Sequence, residues 1–154
     1  MSIPLGQLIV LDTNVLIHLV RNNEIGQRIN DEFKLTSRVE RPLFSTITEG
    51  EIFGLAKSPK WKWGEKKLQR LQEILNQLVR VDAGLPEVTE AYSEAYSELY
   101  AESQATGHPT GENDLWIAAT AKATGAALLT GDSDFNWMKP PLAEVVYVPF
   151  SKGN

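Results

Sequence analysis

Cysteine is absent from all 154 residues, which removes both a disulfide framework and any thiolate metal site. Such a composition suits a reducing compartment. Histidine is nearly absent: His18 and His108 stand far apart and form no ligand pair in sequence. Long apolar runs are also missing. The most hydrophobic stretch, Leu8 to Val20, is interrupted by Asp12, Asn14 and His18 and is too short to cross a bilayer. No membrane span or secretory leader is therefore expected, and the expected location is the cytoplasm. A basic excess is lacking as well, since 15 Lys and Arg stand against 20 Asp and Glu, for a net charge of −5. That argues against a protein that coats nucleic acid through a general positive field. It does not exclude a nuclease, because an acidic cluster that binds divalent cations adds negative charge until the metal arrives.

What is present is enough apolar material, 42% of the chain, to bury a core. The length suits one domain covering residues 1–154. Leu8-Ile9-Val10-Leu11 reads as a strand buried on both faces, as in the centre of a parallel sheet. Val15, Leu16, Leu19 and Val20 then recur at helical spacing. Pro42 to Ser45 suggests a second strand, followed by a helix from about Thr48 to Lys57 with Ile52, Leu55 and Ala56 on its apolar side. Leu68, Leu71, Ile74, Leu75 and Leu78 mark an amphipathic helix, and Leu78 to Val81 a short strand. The clearest helix runs from Glu87 to about Ser103. A loop over Gly107 to Gly111 separates it from an alanine-rich helix, Glu112 to Thr124, which Gly125 stops. Ala127 to Thr130 and Val145 to Val148 are further strands, and the tail after Phe150 is polar. Strands alternating with helices imply a parallel sheet covered on both faces. In such folds a site lies beyond the carboxyl ends of the strands.

Acidic residues occupy those junctions. Asp12 ends the first strand, where it can cap the next helix. Asp132 follows a later strand in Thr130-Gly131-Asp132-Ser133-Asp134, a sequence that also suits a turn. Asp114 lies in the first turn of a helix, where the macrodipole favours an acid. The helix behind it is poor in surface charge, and Ile117 to Ala121 looks made for close packing. Glu51 falls within about the first turn of its helix and is a better inward candidate than Glu49. Each acid has an ordinary explanation, but together they aim carboxylates at one edge. Unpaired carboxylates packed together repel one another. A hard divalent cation is the natural compensation, and it favours phosphodiester hydrolysis.

The segments Leu8 to Leu16, the helix with Glu51 and Gly54, Asn113 to Ala121, and Leu129 to Phe135 together resemble the motifs of the PIN domain. The closest likeness is to the bacterial VapC toxins of type II toxin–antitoxin systems. The resemblance extends from Leu8 to about Val148. It implies a three-layer α/β/α sandwich with a central parallel β-sheet and Mg²⁺- or Mn²⁺-dependent endoribonuclease activity. Carried over, Asp12 and Asp114 are the main metal ligands, and Glu51 and Asp132 complete the catalytic site by binding metal or orienting the water. Asp134 is an auxiliary acid, and Asn14 and Thr130 support the site by hydrogen bonding. The implied products carry 5′-phosphate and 3′-hydroxyl ends. The resemblance also implies an RNA substrate, an antitoxin protein that inserts a peptide between helices, and a homodimer. The loop Trp61 to Lys67 lies outside the common core of the family.

Other features have plainer readings. Trp61 and Trp63 among Lys60, Lys62, Lys66 and Lys67 could stack on bases, but packing on the body or on a second subunit is the more ordinary role. Arg21, Arg28 and Arg70 could contact RNA, although isolated arginines are usually solvated. His18 reads as structural, and Tyr92, Tyr96 and Tyr100 as a packing or dimer face. Two alternative functions share the pattern: an RNA processing or decay nuclease without an antitoxin, and a binding module whose acids are only caps and turns.

Overall fold

The computed structural model describes residues 3–106, 111–138, 140 and 143–150, with the side chains of 99, 100 and 102–106 outside that description. The expected loop at 107–110, His108, the Tyr100 side chain and the polar tail therefore lie outside the described residues. The chain runs β1 (Ile9–Leu11), α1 (Thr13–Arg21), α2 (Glu24–Phe33), β2 (Leu43–Ser45), α3 (Thr46–Lys57), α4 (Glu65–Asn76), β3 (Val79–Val81), α5 (Pro86–Thr106), α6 (Glu112–Thr124), β4 (Ala127–Thr130), a 3₁₀ turn (Ser133–Phe135) and β5 (Glu144–Tyr147). The sheet has the order β3-β2-β1-β4-β5, and every pairing is parallel.

Alternation along each strand divides the core into two. Ile9, Leu11, Phe44, Ala127, Leu129 and Val146 join α1 to α4 on one face. Val10, Leu43, Leu128 and Val145 meet α5 and α6 on the other. Period-two side-chain placement in strands buried on both faces produces this three-layer packing. Ile117, Ala118, Ala119, Thr120 and Ala121 are all buried, so the small residues of α6 let it lie close on the sheet.

Three details differ from the sequence reading. Helix α2 has no counterpart in it, because Ile25, Ile29 and Phe33 form only a thin stripe interrupted by Gly26. Its signal was Asn23, whose side chain caps the helix by accepting from the Gly26 N–H at 2.9 Å. Leu55 is 37% exposed rather than on the buried side of α3. Glu51 lies in the second turn of α3, because that helix begins at Thr46, capped by Ser45.

The order of the strands fixes where a site can form. From β1 the chain winds outward through β2 and β3, then crosses back to add β4 and β5 on the other side. The point of reversal lies between β1 and β4, where the following segments diverge and leave a crevice at the carboxyl edge. Asp12 and the Thr130–Asp132 turn flank that crevice.

Candidate metal centre

Asp12 follows β1 directly, with its N–H donating to the Leu129 carbonyl of β4 at 3.0 Å. It is the N-cap of α1, and its Oδ1 accepts from the Thr13 N–H at 2.8 Å. Its Oδ2 accepts from the Thr130 hydroxyl at 2.6 Å. Capping and site geometry thus use one conformation. Only 4% of Asp12 is exposed.

Thr130 is fully buried and links two acids. Its hydroxyl donates to Asp12 and accepts from the Asp132 N–H at 2.9 Å. Asp132 in turn caps the 3₁₀ turn, accepting from the Asp134 N–H at 2.9 Å. Asn14 reaches the same loop from α1, its Oδ1 accepting from the Gly131 N–H at 3.4 Å.

Glu51 is oriented by a residue that the sequence reading left without a role. The Thr13 hydroxyl donates to Glu51 Oε1 at 2.9 Å and lies 3.2 Å from the Thr48 hydroxyl. A carboxylate only accepts, so the single Thr13 proton points at Glu51 and Thr48 donates to Thr13. The available signal was the adjacency of Thr13 to Asp12 at a strand-to-helix junction. Glu49 turns elsewhere and pairs with Arg80 at 3.2 Å.

Asp114 enters from the first turn of α6, on the opposite layer, and is partly buried. One carboxylate oxygen from each of Asp114, Asp132 and Asp134 lies within 4.8 Å of the others. Burial pushes the Asp12 carboxyl up to about 6, opposed by its hydrogen bonds from Thr130 and Thr13 and assisted by Asp132 and Glu51. Burial, then the charges of Asp12, Asp132, Glu51 and Asp134, push Asp114 up to about 7. The other four acids are therefore all within electrostatic reach of Asp114.

Among the described residues, no Lys or Arg pairs with any of these five; Arg80 pairs instead with Glu49 and Lys122 with Glu94. An all-carboxylate donor set without imidazole or thiolate suits a hard cation such as Mg²⁺ or Mn²⁺. Clustered anions without a countercharge fit such a group.

The remaining sequence features fall outside the cluster. Trp63 is 8% exposed and stacks with Trp61 at 5.7 Å, and Arg21 lies over the Trp61 ring at 4.7 Å. These tryptophans pack on the body of the protein. Arg70 donates to the carbonyls of Val20 and Leu19, satisfying the end of α1. Arg28 donates to the Pro149 carbonyl at 2.8 Å. Tyr92 stacks on Trp116 with centroids 3.9 Å apart, while Tyr96 is 50% exposed.

Known structures share this fold. A chain of the VapBC2 complex from Rickettsia felis, bound to a DNA fragment from its promoter, superposes with a TM-score of 0.71 at 25% identity, covering 91% of this chain and 98% of that one. FitAcB from Neisseria gonorrhoeae gives 0.62 at 25% identity, covering 93% and 99%. DNA-bound VapBC from Salmonella typhimurium gives 0.69 at 24% identity, covering 92% and 98%, a likeness of fold. Among curated proteins, none matches the chain by sequence. The sequence profile of the PIN domain matches residues 9–139, a span that carries all five acids and four of the five strands. With that match and the shared fold, the chain belongs to the PIN domain family.

Proposed function

We propose that this chain is a metal-dependent endoribonuclease and the toxin of a toxin–antitoxin pair, acting as a single domain. The observation that carries the reading is the convergence of five carboxylates at the β1–β4 reversal with no basic partner among the described residues. Membership of the PIN family and the likeness to VapBC and FitAcB chains support it. An antitoxin protein is its partner in this reading, in line with the likeness to toxin–antitoxin complexes, and the family resemblance adds a second copy of the chain.

Asp12, Asp114, Glu51 and Asp132 would hold Mg²⁺ or Mn²⁺, with Asp134 as an auxiliary acid. The chemistry such a cation supplies is a potent nucleophile from water at neutral pH and neutralisation of charge on the phosphate oxygens. The protein's own groups preorganise that setting. Thr130 keeps Asp12 in its ionised form against the cost of burial and ties Asp132 to the same hydroxyl. Thr13 and Thr48 hold Glu51 so that it orients the attacking water. In the hydrolysis, the water oxygen bonds to phosphorus and the bond to O3′ breaks. A proton passes to that oxygen, leaving 5′-phosphate and 3′-hydroxyl ends. No side-chain nucleophile takes part.

The test is cleavage of a mixed RNA pool by the purified protein with Mg²⁺, Mn²⁺ or chelator, beside folded Asp12→Asn and Asp114→Asn. Metal-dependent cleavage that falls by about a hundredfold or more in both variants is expected, in line with loss of a metal ligand. Full metal-dependent activity in either variant would overturn the assignment.

A further inference from the structure

The loop that carries Asp132 is held from one side by Asn14, and from the other by a segment beyond the sheet. After β5, the Val148 N–H donates to the Thr130 carbonyl at 2.8 Å. The Pro149 carbonyl then accepts from Arg28 of α2. These bonds fix the direction in which Phe150 leaves the sheet. Its ring packs edge to face on His18 of α1, with centroids 4.5 Å apart, and joins the core on that side.

The same ring covers Gly131. A methyl group built on that glycine would fall inside the van der Waals envelope of Cε1, Cε2 and Cζ of Phe150. A side chain at 131 would therefore have to displace the tip of the Phe150 ring. Gly131 joins Thr130, which holds Asp12, to Asp132, which caps Asp134. Gly131 is thus the chain neighbour of Asp132, whose side chain in turn holds the Asp134 N–H, so its position bears on these two carboxylates of the β4 loop.

We infer that Phe150 is a positioning residue for the metal centre: its ring clamps Gly131 and so sets the spacing of the acids on the β4 loop. The inference rests on the metal-centre reading above. Groups that orient metal ligands without touching the metal commonly change affinity by about ten to a hundredfold. A clamp acting through Gly131 also makes a specific demand on the pair. The side chain that the ring crowds at 131 is accommodated freely once the ring is gone.

The experiment measures Mn²⁺ affinity by calorimetry, without RNA, for the wild type, Asp12→Asn, Phe150→Ala, Phe150→Leu, Gly131→Ala and the Phe150→Ala/Gly131→Ala pair. Circular dichroism monitors folding. Phe150→Ala is expected to weaken binding by about tenfold and Phe150→Leu by less, because leucine retains an apolar cover. Gly131→Ala alone weakens it at least as much, whereas adding it to Phe150→Ala costs almost nothing further. If Gly131→Ala fails to fold while the pair folds, the pair must bind Mn²⁺ no more weakly than Phe150→Ala for the clamp to stand. Should Phe150→Ala not fold, Phe150→Leu alone and combined with Gly131→Ala decide by the same comparison. Wild-type affinity in folded Phe150→Ala, or an equal penalty from Gly131→Ala in both backgrounds, overturns the clamp while leaving the metal centre intact. If the wild type itself binds no Mn²⁺, the metal-centre reading falls, and the clamp falls with it.

Discussion

Thr13 and Thr130 decide how the acids present themselves. Each places one hydroxyl where a carboxylate must be held against its neighbours, Glu51 in one case and Asp12 in the other. Both are buried, so neither bond is exchanged readily for water. Thr13→Val keeps the shape and removes the proton that points at Glu51. It should lower metal-dependent cleavage by about tenfold and cost about 1–3 kcal/mol of stability, because Thr48 and Glu51 lose a buried hydrogen-bond partner. Steady-state cleavage beside a melting curve checks this, and an unchanged rate would deny Thr13 its role. The acids themselves were legible in the sequence, since Asp12, Asp114 and Asp132 each follow a strand or open a helix. The hydroxyls were harder to read because a threonine is as common in a core as in a site, and only its partner tells them apart.

Two elements on the α1–α4 face can be tested without touching the acids. Gly26 lies where α2 crosses α1, and an added methyl group would run into the backbone carbonyl of His18. Gly26→Ala should therefore destabilise the fold by about 1–3 kcal/mol, measured by urea denaturation, since backbone cannot yield as a side chain can. Arg70 satisfies the last carbonyls of α1 from α4. Arg70→Ala should cost about 1 kcal/mol and leave the cleavage rate per folded molecule unchanged. A large loss of rate with normal stability would instead assign Arg70 to RNA. Helix α2 shows the limit of periodicity at this scale: a helix that buries one narrow stripe resembles a polar loop until its neighbours supply the rest of the interface.

At the scale of the molecule, the cluster couples stability to pH and to metal. Asp12 at about 6 and Asp114 at about 7 both lie above the ordinary value of 3.8. A carboxyl whose pKa is raised by folding holds its proton more tightly in the native state. Its contribution is complete below about pH 4 and is lost as the pH rises through 6 and 7. For buried Asp12 the loss is on the order of 3 kcal/mol. With chelator present, the wild type should lose more stability than Asp12→Asn between about pH 5 and pH 8. Mn²⁺ should raise the wild-type midpoint more at the higher pH, where it meets ionised ligands. Melting curves across that range check both trends, and a metal effect that shrinks with rising pH would contradict them.

The sequence by itself determined the alternation of strands and helices, the two-sided burial of β1, and the acids at the strand and helix junctions. These are local properties, written in the period of apolar residues and in the residue types that caps and turns accept. The tertiary structure decided the strand order, and with it which junctions share a crevice. It separated Glu51 from Glu49 by giving one to Thr13 and the other to Arg80. It turned the tryptophan loop and Arg70 to packing, and laid Phe150 over Gly131. All of these are contacts between residues far apart in the chain. They depend on which surfaces meet once the layers close, and no pattern along a single segment encodes that meeting.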